Sequence, residues 1–397
     1  MSEQTGEDGH SIQEFSQQKN HLDNTEPTLA HPDKTLSRRN VLSALGLMSA
    51  DTIAKRLFGK SHNEPPAQTD MSRRSTDAPV TSNARHIEST EKDTTSEKVF
   101  SAAQWETAME KMVHSDNVQS VVLPDGDVLW VFGDTTKVKN TITEGAYGFP
   151  HSFMMRQKQG TLDFTPIHGK YGYDWQPVPN FSENKYFWMS TPIVDKGNVY
   201  VLGEQIEGVD PFKVTGTYMA ELDAKTFEFR RWIKIPSGAT GSTQWGGVTK
   251  GPNGWLISGS HKDGTKGRVG DLAEVPFGQL HDPGKWKVTD NTVDLSENIG
   301  ATSGIMRTEN GYAMYTKRGD EKGSQIACLE AATPTGPWKT VATQPVSGPP
   351  GTKTYAVAIH PEQAAPPGKV LVSYAMNPEK KGHDDLYHPG FTYMEKP

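Results

Sequence analysis

Cysteine is almost missing from this sequence. Cys328 stands alone, so no intrachain disulfide and no thiolate metal cluster can form. Long apolar runs are missing too: none approaches the roughly 18 residues that a membrane-spanning helix needs, and no integral span is expected. Positive charge is not in excess. The formal net charge is -7, and no basic stripe interleaved with aromatics argues for nucleic acid as a partner. Aromatic residues are missing from the first quarter of the chain: all nine Trp and all twelve Tyr lie beyond position 100, and only Phe15 and Phe58 of the fourteen Phe precede it. That quarter is rich in Ser, Thr, Glu, Asp, Gln, Asn, Lys and Pro. It cannot bury enough apolar surface to offset the entropy of ordering its backbone. Residues 1–97 therefore read as a disordered leader, and residues 98–397 as one large all-β domain, expected to be monomeric.

Within the leader, Leu36-Ser37-Arg38-Arg39-Asn40-Val41-Leu42 resembles the bacterial twin-arginine motif. The apolar run Val41–Ala50 behind it has the length of a signal h-region, ends at Asp51 and is too short to span a bilayer. Residues of about 36–54 are thus expected to direct export, to the outside or to the cell envelope, and 55–97 to act as a flexible tether.

The folded part repeats. Five times a short apolar strand meets a Gly-containing turn and a more apolar strand follows, first at Val118–Leu123 and Val128–Gly133 and last at Tyr355–Ile359 and Val370–Tyr374. The turn glycines are 126, 197, 254, 311 and 368, spaced by 71, 57, 57 and 57 residues. Asp-Gly and Asn-Gly turns between β-branched and aromatic runs are strong hairpin signals. Third and fourth strands follow, clearest at Thr217–Leu222 and Phe227–Ile233. The pattern predicts a five-bladed β-propeller of four-stranded antiparallel blades. The fifth unit runs out near Phe391–Met394, so closure is expected from a strand near Val99–Met109.

In each hairpin the start of the first strand and the end of the second lie together, opposite the turn. In a propeller these five places ring one mouth of the channel. The starts are Asp116, Trp188, Gln244, about Thr302, and Tyr355; the ends are Asp134, Glu204, His261, Lys317 with Arg318, and about Asn377. Carboxylates beside aromatics suit a carbohydrate cleft, with rings stacking on sugars and carboxyls doing acid–base work. Asp116 and Asp134, on adjacent strands of blade one, form the candidate catalytic pair, with Glu204 as acid or orienting partner. Trp188, Gln244, Trp245, His261, Lys317 and Tyr355 are candidate substrate-binding residues. No cofactor fingerprint or metal site is read, and His360-Pro361-Glu362 falls on the turn side as a structural feature. Two functions stay open: a glycosidase, or a non-catalytic propeller that binds polysaccharide.

The stretch Leu123-Pro124-Asp125-Gly126-Asp127-Val128-Leu129-Trp130-Val131-Phe132-Gly133-Asp134-Thr135 resembles an actinobacterial propeller family whose members include endo-D-arabinanases. Lys369–Pro378 is similar as well, and the resemblance covers about residues 110–380. It implies a five-bladed fold, a place outside the membrane and hydrolysis of furanosidic links in arabinan-type polysaccharide. The family's blade-one aspartates map to Asp134 and Asp116, although His114-Ser115-Asp116-Asn117 departs from the family pattern.

Overall fold

Each turn glycine lets one hairpin fold back on itself, and Gly197, at φ +80°, shows why that position excludes a side chain. The computed structural model describes residues 98–138, 141–142, 150–171, 176–208, 212–238, 241, 243–264, 267–346, 348–379 and 386–397. The leader, its twin-arginine segment and His383, Asp384 and Asp385, whose polar flanks read in the sequence as a loop rather than a metal site, lie outside them.

The five hairpins open five antiparallel sheets. Their first strands are Gln119–Val122, Lys185–Asp195, Gln244–Lys250, Ser303–Thr308 and Thr352–His360. Their second strands are Val128–Phe132, Asn198–Glu207, Gly254–Lys262, Gly311–Arg318 and Lys369–Pro378. Third strands are Phe153–Gln157, Lys213–Asp223, Arg268–Pro276, Gln325–Ala331 and Pro389–Glu395. Outer strands follow in four blades, at Phe164–Pro166, Phe229–Lys234, Lys287–Val293 and Lys339–Pro345. The first strands touch one another in cyclic order, blade one against two, on to five, and five against one. The protein is a five-bladed β-propeller.

Burial follows this plan. Each of the five spaces between blades holds its own apolar cluster, such as Val131, Met154, Met189 and Val201 between blades one and two. Between four and five lie Tyr315, Cys328, Val357 and Val372. The buried Cys328 thiol is pushed up to about 11, chiefly by burial.

The closure departs from the sequence expectation. Blade five has three strands, and residues Ala102–Met112 form a helix beside its outer strand. The physical reason is local. Ser101 and Gln104 form a capping box, and Trp105 and Met109 share one face at the four-residue spacing of a helix. That face buries against Trp130, Phe164 and Phe391 in the space between blades five and one. Glu106 Oε1 accepts from the amide of Phe391 at 3.1 Å, so the helix occupies an edge that a fourth strand would have paired. Among the described residues no helix is long and apolar enough to cross a membrane.

Candidate active site

The first two strands of blade one end in a small accessory sheet, where Val113–Ser115 pairs with Thr135–Val138 and the latter with Thr141–Ile142. Asp116 and Asp134 sit at this joint. The Asp116 amide donates to Asp134 O at 3.3 Å, the Gly133 amide donates to Asp116 O at 2.9 Å, and Ser115 Oγ donates to Asp134 O at 2.8 Å. The joint leaves Asn117 at φ +48°, with Nδ2 donating to Met189 O of blade two at 2.7 Å. Glycine at 133 makes room: a Cβ there would stand 2.4 Å from Asp116 Oδ1.

The two carboxyls live in different surroundings. Asp116 Oδ1 accepts from the Asp134 amide at 2.9 Å, and Oδ2 accepts from the Tyr355 hydroxyl at 2.8 Å. Tyr387 also bonds the Asp116 carboxyl. Burial pushes that carboxyl up from its ordinary 3.8 to about 7, and the charge of Asp134 adds to the rise; the bonds from Tyr355, Tyr387 and the Asp134 amide oppose it. Burial and the neighbouring Asp116 charge hold both tyrosine phenols well above their ordinary range. Asp134 Oδ1 instead accepts from Trp188 Nε1 at 2.6 Å and meets His151 Nδ1 at 2.5 Å. The His151 ring is buried against Tyr186, with centroids 4.5 Å apart. An ionised carboxylate can only accept, so His151 donates from Nδ1 in that state. Burial and the Asp134 charge thus push Asp116 toward its acid form against its three donors, while Asp134 has Trp188 and His151 as partners for its anion.

Glu204 lies in blade two. It accepts from Gln244 Nε2 of blade three at 2.9 Å, and burial raises its carboxyl, opposed by that bond and by the Arg268 charge. Arg268 Nε in turn donates to Asp320 Oδ2 of blade four at 3.1 Å. A chain of polar contacts thus runs along the mouth from blade two to blade four.

The structure brings Asp116, Asp134, Trp188 and Tyr355 together and joins Glu204 to Gln244. The other three candidates are committed elsewhere. Trp245 is 2% exposed, packs in the core between blades two and three, and donates from Nε1 to Pro236 O at 3.0 Å. It presents no open ring face. Lys317 is 1% exposed; its ammonium donates to Asp320 O at 3.2 Å and to Gly323 O, and burial lowers it. His261 Nδ1 bonds buried Asp271 at 2.7 Å, in a network with Thr243.

Sequence reasoning missed His151, Tyr387, Phe212 and Arg268, and one rule would have found them. Strands alternate in direction, so each third strand also starts at the mouth. Arg268 is the first residue of one, Phe212 immediately precedes another, and His151 and Tyr387 each stand two residues ahead of theirs.

The fold is similar to that of a putative hydrolase from Bacteroides ovatus, with a TM-score of 0.54 and 15% identity over 73% of this chain and 88% of that one. It is also similar to an α-L-arabinofuranosidase from Lactobacillus brevis, with a TM-score of 0.50 and 13% identity over 74% of this chain and 94% of that one. No curated protein matches the chain in sequence. The family model described as "Domain of unknown function (DUF5005)" matches residues 102–395, the helix and all five blades, and the chain belongs to that family.

Proposed function

We propose that this protein is a glycoside hydrolase acting on furanosidic, arabinan-type polysaccharide outside the membrane, with Asp116 and Asp134 as its carboxyl pair. The observation that carries the reading is their unequal environment: Asp116 is pushed up to about 7, while Asp134 meets a Trp N–H and a His ring nitrogen. Glycoside hydrolysis needs that division. Protonated Asp116 gives its proton to the leaving glycosidic oxygen as the bond to the anomeric carbon breaks. Ionised Asp134 faces the positive charge that develops on the sugar, either forming the new bond itself or taking a proton from the attacking water. Tyr355 and Tyr387 position the Asp116 carboxyl, and Glu204 stands further along the mouth as an orienting group. The likeness in fold to an α-L-arabinofuranosidase and the blade-one motif Leu123–Thr135 support a furanose substrate. The twin-arginine segment supports action outside the membrane.

The test is incubation of the protein with arabinogalactan, lipoarabinomannan and other envelope glycans, with released oligosaccharides followed by mass spectrometry. Release of arabinose oligomers is expected. Asp134→Asn should lower turnover by about 10²–10⁴-fold while leaving the melting temperature nearly unchanged. An Asp134→Asn variant as active as the parent removes Asp134 from the mechanism. No release from any glycan by folded protein leaves the propeller as a polysaccharide-binding module.

A further inference from the structure

Among the described residues, five large hydrophobic side chains are exposed: Val99, Val122, Phe212, Phe277 and Val341. Four of them lie away from the mouth. Val99 precedes the closing helix, Val122 and Phe277 stand at the turn ends of their strands, and Val341 is on an outer strand. Phe212, 47% exposed, is at the mouth, immediately ahead of the third strand of blade two. Its ring meets that of Trp188 with centroids 4.6 Å apart and planes at 70°. Trp188 is anchored, because its indole N–H donates to Asp134 Oδ1 at 2.6 Å.

We propose that Trp188 and Phe212 form a platform for one uncharged sugar residue of the substrate, adjoining the bond that the carboxyl pair addresses; this rests on reading the mouth as a glycan cleft. Two rings at a steep angle make a corner. A sugar ring is amphipathic: its hydroxyls carry the polarity, while C–H bonds gathered on a face of the ring form an apolar patch with positive edges. Such a face suits the negative face of an aromatic ring, and burying it recovers area that Phe212 now leaves in water. The fixed indole brings that contact to Asp134 without a further ordering cost. Charge sets the class of sugar. Asp134, which the proposed mechanism keeps ionised, accepts from Trp188 itself, so a uronate laid on this platform would stand beside a carboxylate. Phe212 is therefore a specificity-determining residue for neutral glycans.

The test is calorimetric titration of full-length Asp116→Asn protein, in which turnover is silenced, with arabinotriose, xylotriose and trigalacturonate. Phe212→Ala and Phe212→Tyr are made in the same background. At least one neutral trisaccharide should bind, and Phe212→Ala should weaken it about tenfold. Phe212→Tyr, which keeps the ring, should stay within about twofold of the parent, and trigalacturonate should bind about tenfold more weakly than the neutral ligand. Unchanged affinity in Phe212→Ala, no binding of either neutral trisaccharide, or preference for trigalacturonate overturns the platform. Failure of the hydrolase reading looks different: binding that depends on Phe212, with no product released by the parent protein, leaves the platform standing. Conversely, hydrolysis with a KM indifferent to Phe212→Ala removes the platform and keeps the enzyme.

Discussion

At the scale of single residues, the site is built from an arrangement that costs stability. Asp116 titrates near 7 in the folded protein against an ordinary 3.8, so its folded-state pKa is raised. A raised pKa gives stability that is complete below about 3.8 and lost as pH rises through about 7, where the native state must ionise a buried group beside Asp134. Asp116→Asn removes that charge. Its stability relative to the parent should grow between pH 4 and pH 8, reaching on the order of a few kcal/mol at the alkaline end, while activity is lost. Urea unfolding at pH 4 and pH 8 checks it, and a gap that does not widen with pH would mean Asp116 is not held protonated. For the parent, the acid role proposed for Asp116 predicts activity that declines as pH rises through 7, because an acid must carry its proton. That Asp116 and Asp134 meet was legible in the sequence, since hairpin geometry alone picks the positions opposite each turn. What distinguishes their surroundings was not. His151 and Tyr387 reach the pair from third strands, and nothing in their local sequence marks them until strand direction is followed once more around the blade.

At the scale of elements, the regular units were easy and the irregular one was not. The 57-residue spacing located hairpins because each turn is a local event, and in four of the five the turn glycine, at 126, 197, 311 or 368, takes a positive φ. Closure is non-local: residues near 100 meet residues near 390, and no spacing announces what shape that meeting takes. The helix Ala102–Met112 was nevertheless written locally, in its capping box and in the four-residue step from Trp105 to Met109. The demand for a fourth strand in blade five obscured it. Trp105 is 1% exposed and packs against Phe100, Trp130, Phe164 and Phe391. Trp105→Ala should cost about 3–5 kcal/mol. If the helix closes the ring as argued, hydrogen exchange in Trp105→Ala should accelerate first in the outer strand Pro389–Glu395, whose Phe391 amide Glu106 accepts. Uniform acceleration over all five blades would instead make the helix an ordinary part of one core.

At the scale of the whole molecule, the seam between blades five and one carries a second device, made of buried polar groups. Ser373 Oγ meets His360 Nε2 at 2.8 Å, His360 Nδ1 meets Ser120 Oγ at 2.5 Å, and Ser120 Oγ donates to Glu362. With His360 neutral the donors run one way, from Ser373 through the imidazole and Ser120 to the Glu362 carboxyl. Beside it, Gln157 Oε1 accepts from Trp130 Nε1 at 2.7 Å and from Gln363 Nε2 at 3.0 Å, again joining blade five to blade one. His360-Pro361-Glu362, which looks motif-like and sits far from the mouth, thus serves closure. His360→Leu strips a partner from both serines and should cost about 3 kcal/mol at pH 7, more than its apolar replacement recovers. The acid response gives the sharper test. Burial lowers the His360 imidazole from 6.5 to about 3, so below pH 6.5 the unfolded chain takes a proton that the native ring refuses. A depressed pKa gives stability present above 6.5 and lost as pH falls toward 3, at a slope of about 1.4 kcal/mol per pH unit. Burial raises Glu362, whose pH dependence runs the opposite way, so the parent's curve alone mixes the two. The difference between parent and His360→Leu isolates the histidine. That difference should be largest at pH 7 and narrow steadily as pH falls from 6 to 4, because the variant has no imidazole to protonate on unfolding. A difference independent of pH would show that the native ring already accepts the proton. The seam would then be held by packing, and the five apolar clusters with the helix would close the ring without it.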